Sequence, residues 1–216
     1  MTPRAAALAV AASALLAGAP AFAGGDHGFG IEGQVGYQDL TKLKNSAKAV
    51  FDGSSGGVTF GGGVRYVFSK HFFVSGWGRS FSKDGERVYI SDASSTVFPL
   101  GHPLKVSIVP IQGTIGYRFG LSGPITPYMG AGGGVTKYHE ESTVGGVTTK
   151  VDESKGSFHI LGGAEVGHRA LRFGAEFGYT FAPNAVGIGG VSKIYNESDI
   201  GGFWVVGKAI FTFGSH

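Results

Sequence analysis

Cysteine is missing altogether from this 216-residue chain. No disulfide can staple it, and no Cys/His set with zinc spacing exists. Beyond the first residues there is no apolar run of the length a membrane-crossing helix needs, and no stretch suggests a helix of normal length. Charged residues make up only 15% of the chain and sum to a formal +3. They are scattered rather than gathered into a stripe, so a nucleic-acid partner is not expected. The glycine-rich piece "FGGGV" precedes no helix and does not build a phosphate cradle. His139-Glu140-Glu141 opens a polar stretch and lacks a second histidine at helical spacing. Neither a metal nor a cofactor is expected.

Glycine is what the chain has in excess, 40 residues of 216. It has no collagen period and sits inside runs of alternating polarity, such as "FGGGVRY" and "MGAGGGV". Glycine weakens an ordinary strand unless another backbone or side chain must come close. The first 23 residues read differently. A basic Arg4, an Ala/Leu/Val run and a closing Ala21-Phe22-Ala23 have the form of a cleaved secretory signal peptide. Cleavage after Ala23 leaves residues 24–216 as one domain. Of the 18 basic residues, Arg4 goes with the leader, so 17 face 15 acidic ones, a formal +2.

The alternation predicts eight strands, at 28–38, 58–68, 72–81, 107–119, 126–138, 158–167, 171–181 and 202–213. The first, third, fifth and seventh connections are long, as in "SKDGERVYISDASSTVFPLGHPLK" and "HEESTVGGVTTKVDESKGS". The second, fourth and sixth are short: "SKH", "GLSGPI" and "HRA". In an up-and-down sheet this places every long loop at one end and every short turn at the other. Such is the pattern of a transmembrane β-barrel with long external loops and short periplasmic turns.

In "LRFGAEFGYTF" one face is Leu171, Phe173, Ala175, Phe177, Tyr179 and Phe181, and the other is Arg172, Gly174, Glu176, Gly178 and Thr180. The strands at 28–38, 58–68, 107–119 and 202–213 divide in the same way; those at 72–81 and 126–138 are ambiguous in facing. A soluble barrel with the apolar face inward would carry its glycines on a water-facing surface, where they only cost backbone entropy. A narrow eight-stranded lumen has room for only some of its inward side chains, so glycine beside arginine and glutamate suits it. Aromatics also gather at the strand ends by the short turns: Tyr66, Phe68, Tyr117, Phe119, Phe211 and Phe213. That is the expectation for an interfacial girdle. The fold expected is therefore all-β: a closed, antiparallel, eight-stranded up-and-down transmembrane barrel with its apolar face toward lipid.

The stretch "VPIQGTIGYRFGLSGPITPYMGAGGGV" resembles the central signature of outer-membrane β-barrel proteins of the Opa and OmpA-like surface-antigen kind. There a strand ending Tyr117-Arg118-Phe119 precedes a short turn, then Pro127-Tyr128 and a strand with Gly130, Gly132 and Gly134. The resemblance implies outer-membrane location in a Gram-negative bacterium, a lipid and lipopolysaccharide surrounding, and assembly machinery that reads the C-terminal strand. It departs at the end, where Phe213 precedes Gly214-Ser215-His216; Phe213 is taken as the terminal aromatic.

In such a barrel the inward charges are expected to be Glu32, Arg65, Arg118, Glu165, Arg172, Glu176 and Lys208. Charges in a low-dielectric lumen need partners. Strand order sets Glu32 between Arg65 and, through closure, Lys208. A salt-bridged plug that fills the lumen is the expectation; a charged pore lining is the alternative. None of the seven histidines gives the His-x-Ser pair of barrel deacylases. The function expected is non-enzymatic, a monomeric surface protein with a structural or loop-mediated role. A small channel of the OmpW type stands second, and a lipid A-modifying enzyme third.

Overall fold

The computed structural model describes residues 28–90, 96–119, 121, 124–168, 170–187 and 190–213. The leader read at residues 1–23 and the tail at 214–216 lie outside the described residues. Eight strands follow in chain order: β1 (Gly28–Asp39), β2 (Gly56–Phe68), β3 (Phe72–Ile90), β4 (Val97–Arg118), β5 (Ile125–Val144), β6 (Val147–His168), β7 (Leu171–Phe181) and β8 (Gly202–Phe213). Each pairs antiparallel with the next, and β1 closes on β8 from Phe29↔Phe213 to Gln38↔Trp204. Closure leaves no unpaired edge around the ring itself, where β8 meets β1.

The two faces of the wall are unlike. Val58 (66% exposed) and Phe60 (62%) on β2 point outward, as do Phe173 and Phe177 on β7, while Thr59, Arg65 and Glu176 are buried inside. Outward aromatics at the short-turn end touch in sequence. Ring centroids lie 5.9 Å apart for Phe68 and Phe72, 5.1 Å for Phe72 and Tyr117, and 4.9 Å for Tyr117 and Phe119. A second band, Phe158 against Phe181 at 4.6 Å, marks the opposite end.

Inward glycines make room for the large inward residues beside them. A Cβ on Gly61 would collide with the carbonyl of Gly78 and come within 2.7 Å of the Arg79 Cα. A Cβ on Gly178 would meet the six-membered ring of Trp204. At these two positions glycine leaves the space that the Arg79 stem and the Trp204 indole occupy.

Two of the four long connections differ from expectation. The stretches read as loops after 81 and after 138 are mostly strand. The ladder continues from Ser82↔Ser107 to Ile90↔Val97, and from His139↔Asp152 to Val144↔Val147. Gly145 and Gly146 make the second tip, with φ of +56° and +81°. Two successive positive φ values are the geometry of a type I′ hairpin turn, open to glycine at both places. The other two long connections carry short helices, α1 (Lys44–Val50) and α2 (Gly190–Ile194). Glu197 ties them together: its carboxylate accepts from the Asn45 and Ser46 amides, at 3.0 and 2.8 Å, and from the Ser46 hydroxyl at 2.6 Å.

Candidate functional site

The lumen holds the chemistry-bearing side chains in layers. Nearest the short turns, Glu165 on β6 is wholly buried and draws three guanidinium groups around it. Arg65 Nη2 donates to it at 2.7 Å, Arg118 Nε lies at 3.2 Å and Arg172 Nε at 3.6 Å. Arg172 also donates to Thr126 Oγ1 at 2.9 Å, and Arg118 reaches the Lys70 carbonyl at 3.4 Å. These groups come from β2, β4 and the paired strands β6 and β7, so the cluster ties β6 to two walls with which it shares no ladder.

One layer up, Lys208 on β8 stands between two carboxylates, 2.9 Å from Glu32 and 2.9 Å from Glu176. Gln34 Nε2 donates to Glu32 at 2.6 Å, and the Tyr128 hydroxyl donates to Glu176 at 3.0 Å. The structure thus gathers the seven charges named from the sequence into two separate groups. It does not place Arg65 against Glu32. Arg65 instead spans the lumen to Glu165, because a long inward side chain in a narrow barrel meets the far wall as readily as the adjacent strand.

Sequence reasoning missed the next layer entirely. Arg79 on β3 is 2% exposed and lies between two indoles, its guanidinium carbon 4.1 Å from the Trp77 ring centre and 3.7 Å from that of Trp204. Its three nitrogens have no hydrogen-bond partner among the described residues. The ring faces hold the cation instead, and such contacts strengthen when desolvated. Trp77 and Trp204 are themselves anchored, donating to Thr114 Oγ1 at 3.0 Å and to Thr180 Oγ1 at 3.1 Å.

Beside them runs a chain of neutral groups. Thr114 Oγ1 meets His159 Nε2 at 2.9 Å, His159 Nδ1 meets Gln112 Oε1 at 3.2 Å, and Gln112 donates to Ser157 at 2.6 Å. The Nδ1–H tautomer of His159 satisfies every member, since Thr114 then accepts from Trp77 and donates to Nε2. With Arg79 counted, five basic side chains share the lumen with three acids.

The external mouth closes with an apolar cluster. Leu40, Leu43, Ala47 and Phe51 from the first connection pack on Phe81, Ile108 and Tyr138 from the wall and on Ala182 and Ile200 from the last. Arg79 could have been placed from the sequence. The three-residue turn "SKH" pairs Phe68 with Phe72, and directly opposed residues share a face. Outward Phe68 therefore sets Phe72 outward, and Phe73, Trp77, Arg79 and Phe81 inward.

No curated protein sequence matches this one significantly. The architecture recurs among solved structures. Neisserial surface protein A superposes with a TM-score of 0.53 at 11% identity, covering 88% of this chain and 98% of its own. A major outer membrane protein from Thermus thermophilus gives 0.61 at 10% identity, covering 87% and 99%. Identity this low speaks to the fold alone. The sequence itself goes further: residues 9–185 match the family profile described as "Outer membrane protein beta-barrel domain". With a closed eight-stranded wall, an apolar outer face between two aromatic bands and a charged interior, this chain belongs to the outer-membrane β-barrel family.

Proposed function

We propose that this protein is a sealed, non-enzymatic surface barrel, a membrane-anchored stem that carries two β-hairpins and two helical connections outside the cell. The observation behind this reading is the Arg79 layer: a guanidinium clamped between Trp77 and Trp204, each buried to 4% exposure or less, across the middle of a narrow lumen. Ion-paired layers lie on its periplasmic side and the apolar mouth cluster on the other. A water column threading all three would have to part each of them. What remains for interaction is the outer end. The exposed Lys42, Lys44 and Lys48 on the first connection suit the phosphates of lipopolysaccharide. The C-terminal strand, ending in Phe211 and Phe213, suits recognition by barrel-assembly machinery, and a wall that closes on itself suits a monomer.

Single-channel recording of the refolded protein in planar bilayers tests the seal. The expected trace is flat at the baseline. A steady conductance would overturn the sealed reading and make the protein a channel.

A further inference from the structure

Above the lumen, the extended hairpins and the two helices enclose a second feature, a cavity of about 350 Å³. Its floor is aliphatic: Leu40, Leu43, Ala47, Leu104 and Val106 line it and are buried. Val191 on α2 and Val151 on β6 carry the apolar lining out toward solvent. Water gains little in such a space, because a buried water needs two to four polar partners. The size lies at the lower end of the range for small-molecule sites. It equals about a dozen water volumes at about 30 Å³ each, room for one alkyl tail and not for a diacyl lipid.

The rim carries three charged side chains, and they are not equivalent. Glu140 already accepts the Tyr138 hydroxyl at 2.6 Å, and Glu153 is paired with Lys155 at 3.3 Å. Arg87 lines the cavity, is exposed, and has no hydrogen-bond or ion-pair partner among the described residues. It sits where the β3–β4 register shifts, between Glu86 and Val88, and irregularities of this kind re-aim side chains beside binding sites. The planar fork of an arginine matches a carboxylate through two parallel hydrogen bonds.

We infer that this cavity is a binding site for a free single-chain fatty carboxylate, its tail on the Leu40–Val106 floor and its head on Arg87. The site stands outside the lumen, so it holds whether the barrel is sealed or conducts.

Calorimetric titration of dodecanoate, below its micellar concentration, into the protein in phosphatidylcholine nanodiscs tests the site, with empty nanodiscs as the blank. Detergent is avoided because it is itself a single-chain amphiphile. Saturable binding to the parent is expected. Arg87→Gln should weaken dodecanoate about tenfold, as loss of a charge-assisted pair does, and should change dodecanol binding less than about twofold. Val191→Trp, which fills the cavity from its partly exposed side, should abolish both; circular dichroism and the folded band on unheated gels confirm that each variant keeps its barrel. No saturable binding above the blank, or full binding by a folded Val191→Trp protein, would overturn the site. Dodecanoate affinity unchanged in Arg87→Gln, or tighter binding of dodecyltrimethylammonium or of the lysophospholipid with the same tail, would overturn the fatty carboxylate as its occupant.

Discussion

Glu165→Gln removes one negative charge from among three guanidinium groups while leaving side-chain volume nearly unchanged. The wild-type carboxylate is wholly buried, with Arg65 at 2.7 Å, Arg118 at 3.2 Å and Arg172 at 3.6 Å. Breaking a buried ion pair by removing one partner typically costs about 3–5 kcal/mol, because the surviving charge is stranded. Two features pull the figure toward the lower end. Arg118 and Arg172 are 12% and 20% exposed and keep some solvation, and the glutamine oxygen still accepts one hydrogen bond. The stranded group is therefore chiefly Arg65, and the expected loss is about 3 kcal/mol. At an m-value of about 3 kcal/mol/M the urea midpoint of the refolded barrel in lipid vesicles would fall by about 1 M. A double-mutant cycle isolates the cause. Arg65→Met beside Glu165→Gln should recover part of the loss, with a coupling of about 0.5–3 kcal/mol. A midpoint shift too small to measure, or strictly additive losses, would refute the claim that Glu165 holds the lower lumen together.

On the lipid face, Phe177→Arg places a charge midway along β7 and should cost about 2–4 kcal/mol of barrel stability; urea midpoints equal to the parent's would refute the outward facing of that strand. Gly61→Val should prevent efficient refolding, because its side chain would occupy the space of the Gly78 carbonyl and the Arg79 stem, and normal yield of the folded band on unheated gels would contradict that packing. Outside the membrane, hydrogen bonding to the Lys150 ammonium, 3.1 Å away, holds the Glu141 carboxyl below the ordinary carboxylate range. A lowered folded-state value stabilises the hairpin above the unfolded pKa of about 4.3 and is lost as pH falls through the folded value. Carboxyl-carbon NMR should find a higher midpoint in Lys150→Ala, and an unchanged midpoint would refute the pairing.

The wall was legible because its signal is repeated along every strand. Period-two alternation fixes a face, and alternating short and long connections fix the order. The limits of β7 and β8 coincide with the runs read from the sequence, at Leu171–Phe181 and Gly202–Phe213. Where the strands leave the bilayer the alternation of apolar and polar residues relaxes, since neither face there must be greasy. "HEESTVGGVTTKVDESKGS" therefore reads as a polar loop although its backbone remains laddered. The signal that survives is local and conformational: Gly145-Gly146 between Val144 and Val147 is a two-residue turn written into a run of β-branched residues.

The interior was less legible, for a reason that Arg79 makes plain. Seven charges, four basic and three acidic, are close to balanced, which suggests an interior neutralised by ion pairs alone. The eighth breaks that balance, and it is the one without a carboxylate. Its charge is met by the faces of Trp77 and Trp204, which belong to strands β3 and β8 and approach only because the barrel is closed. Their ring centres lie 5.9 Å apart, edge to face, with the guanidinium against both. Charge counting cannot find such a partner, because indole carries no formal charge. Facing can: once Phe68 opposite Phe72 fixes the parity of β3, Trp77 and Arg79 must share the lumen, two positions apart on one face. The Arg79 layer across the lumen is thus encoded by register rather than by charge.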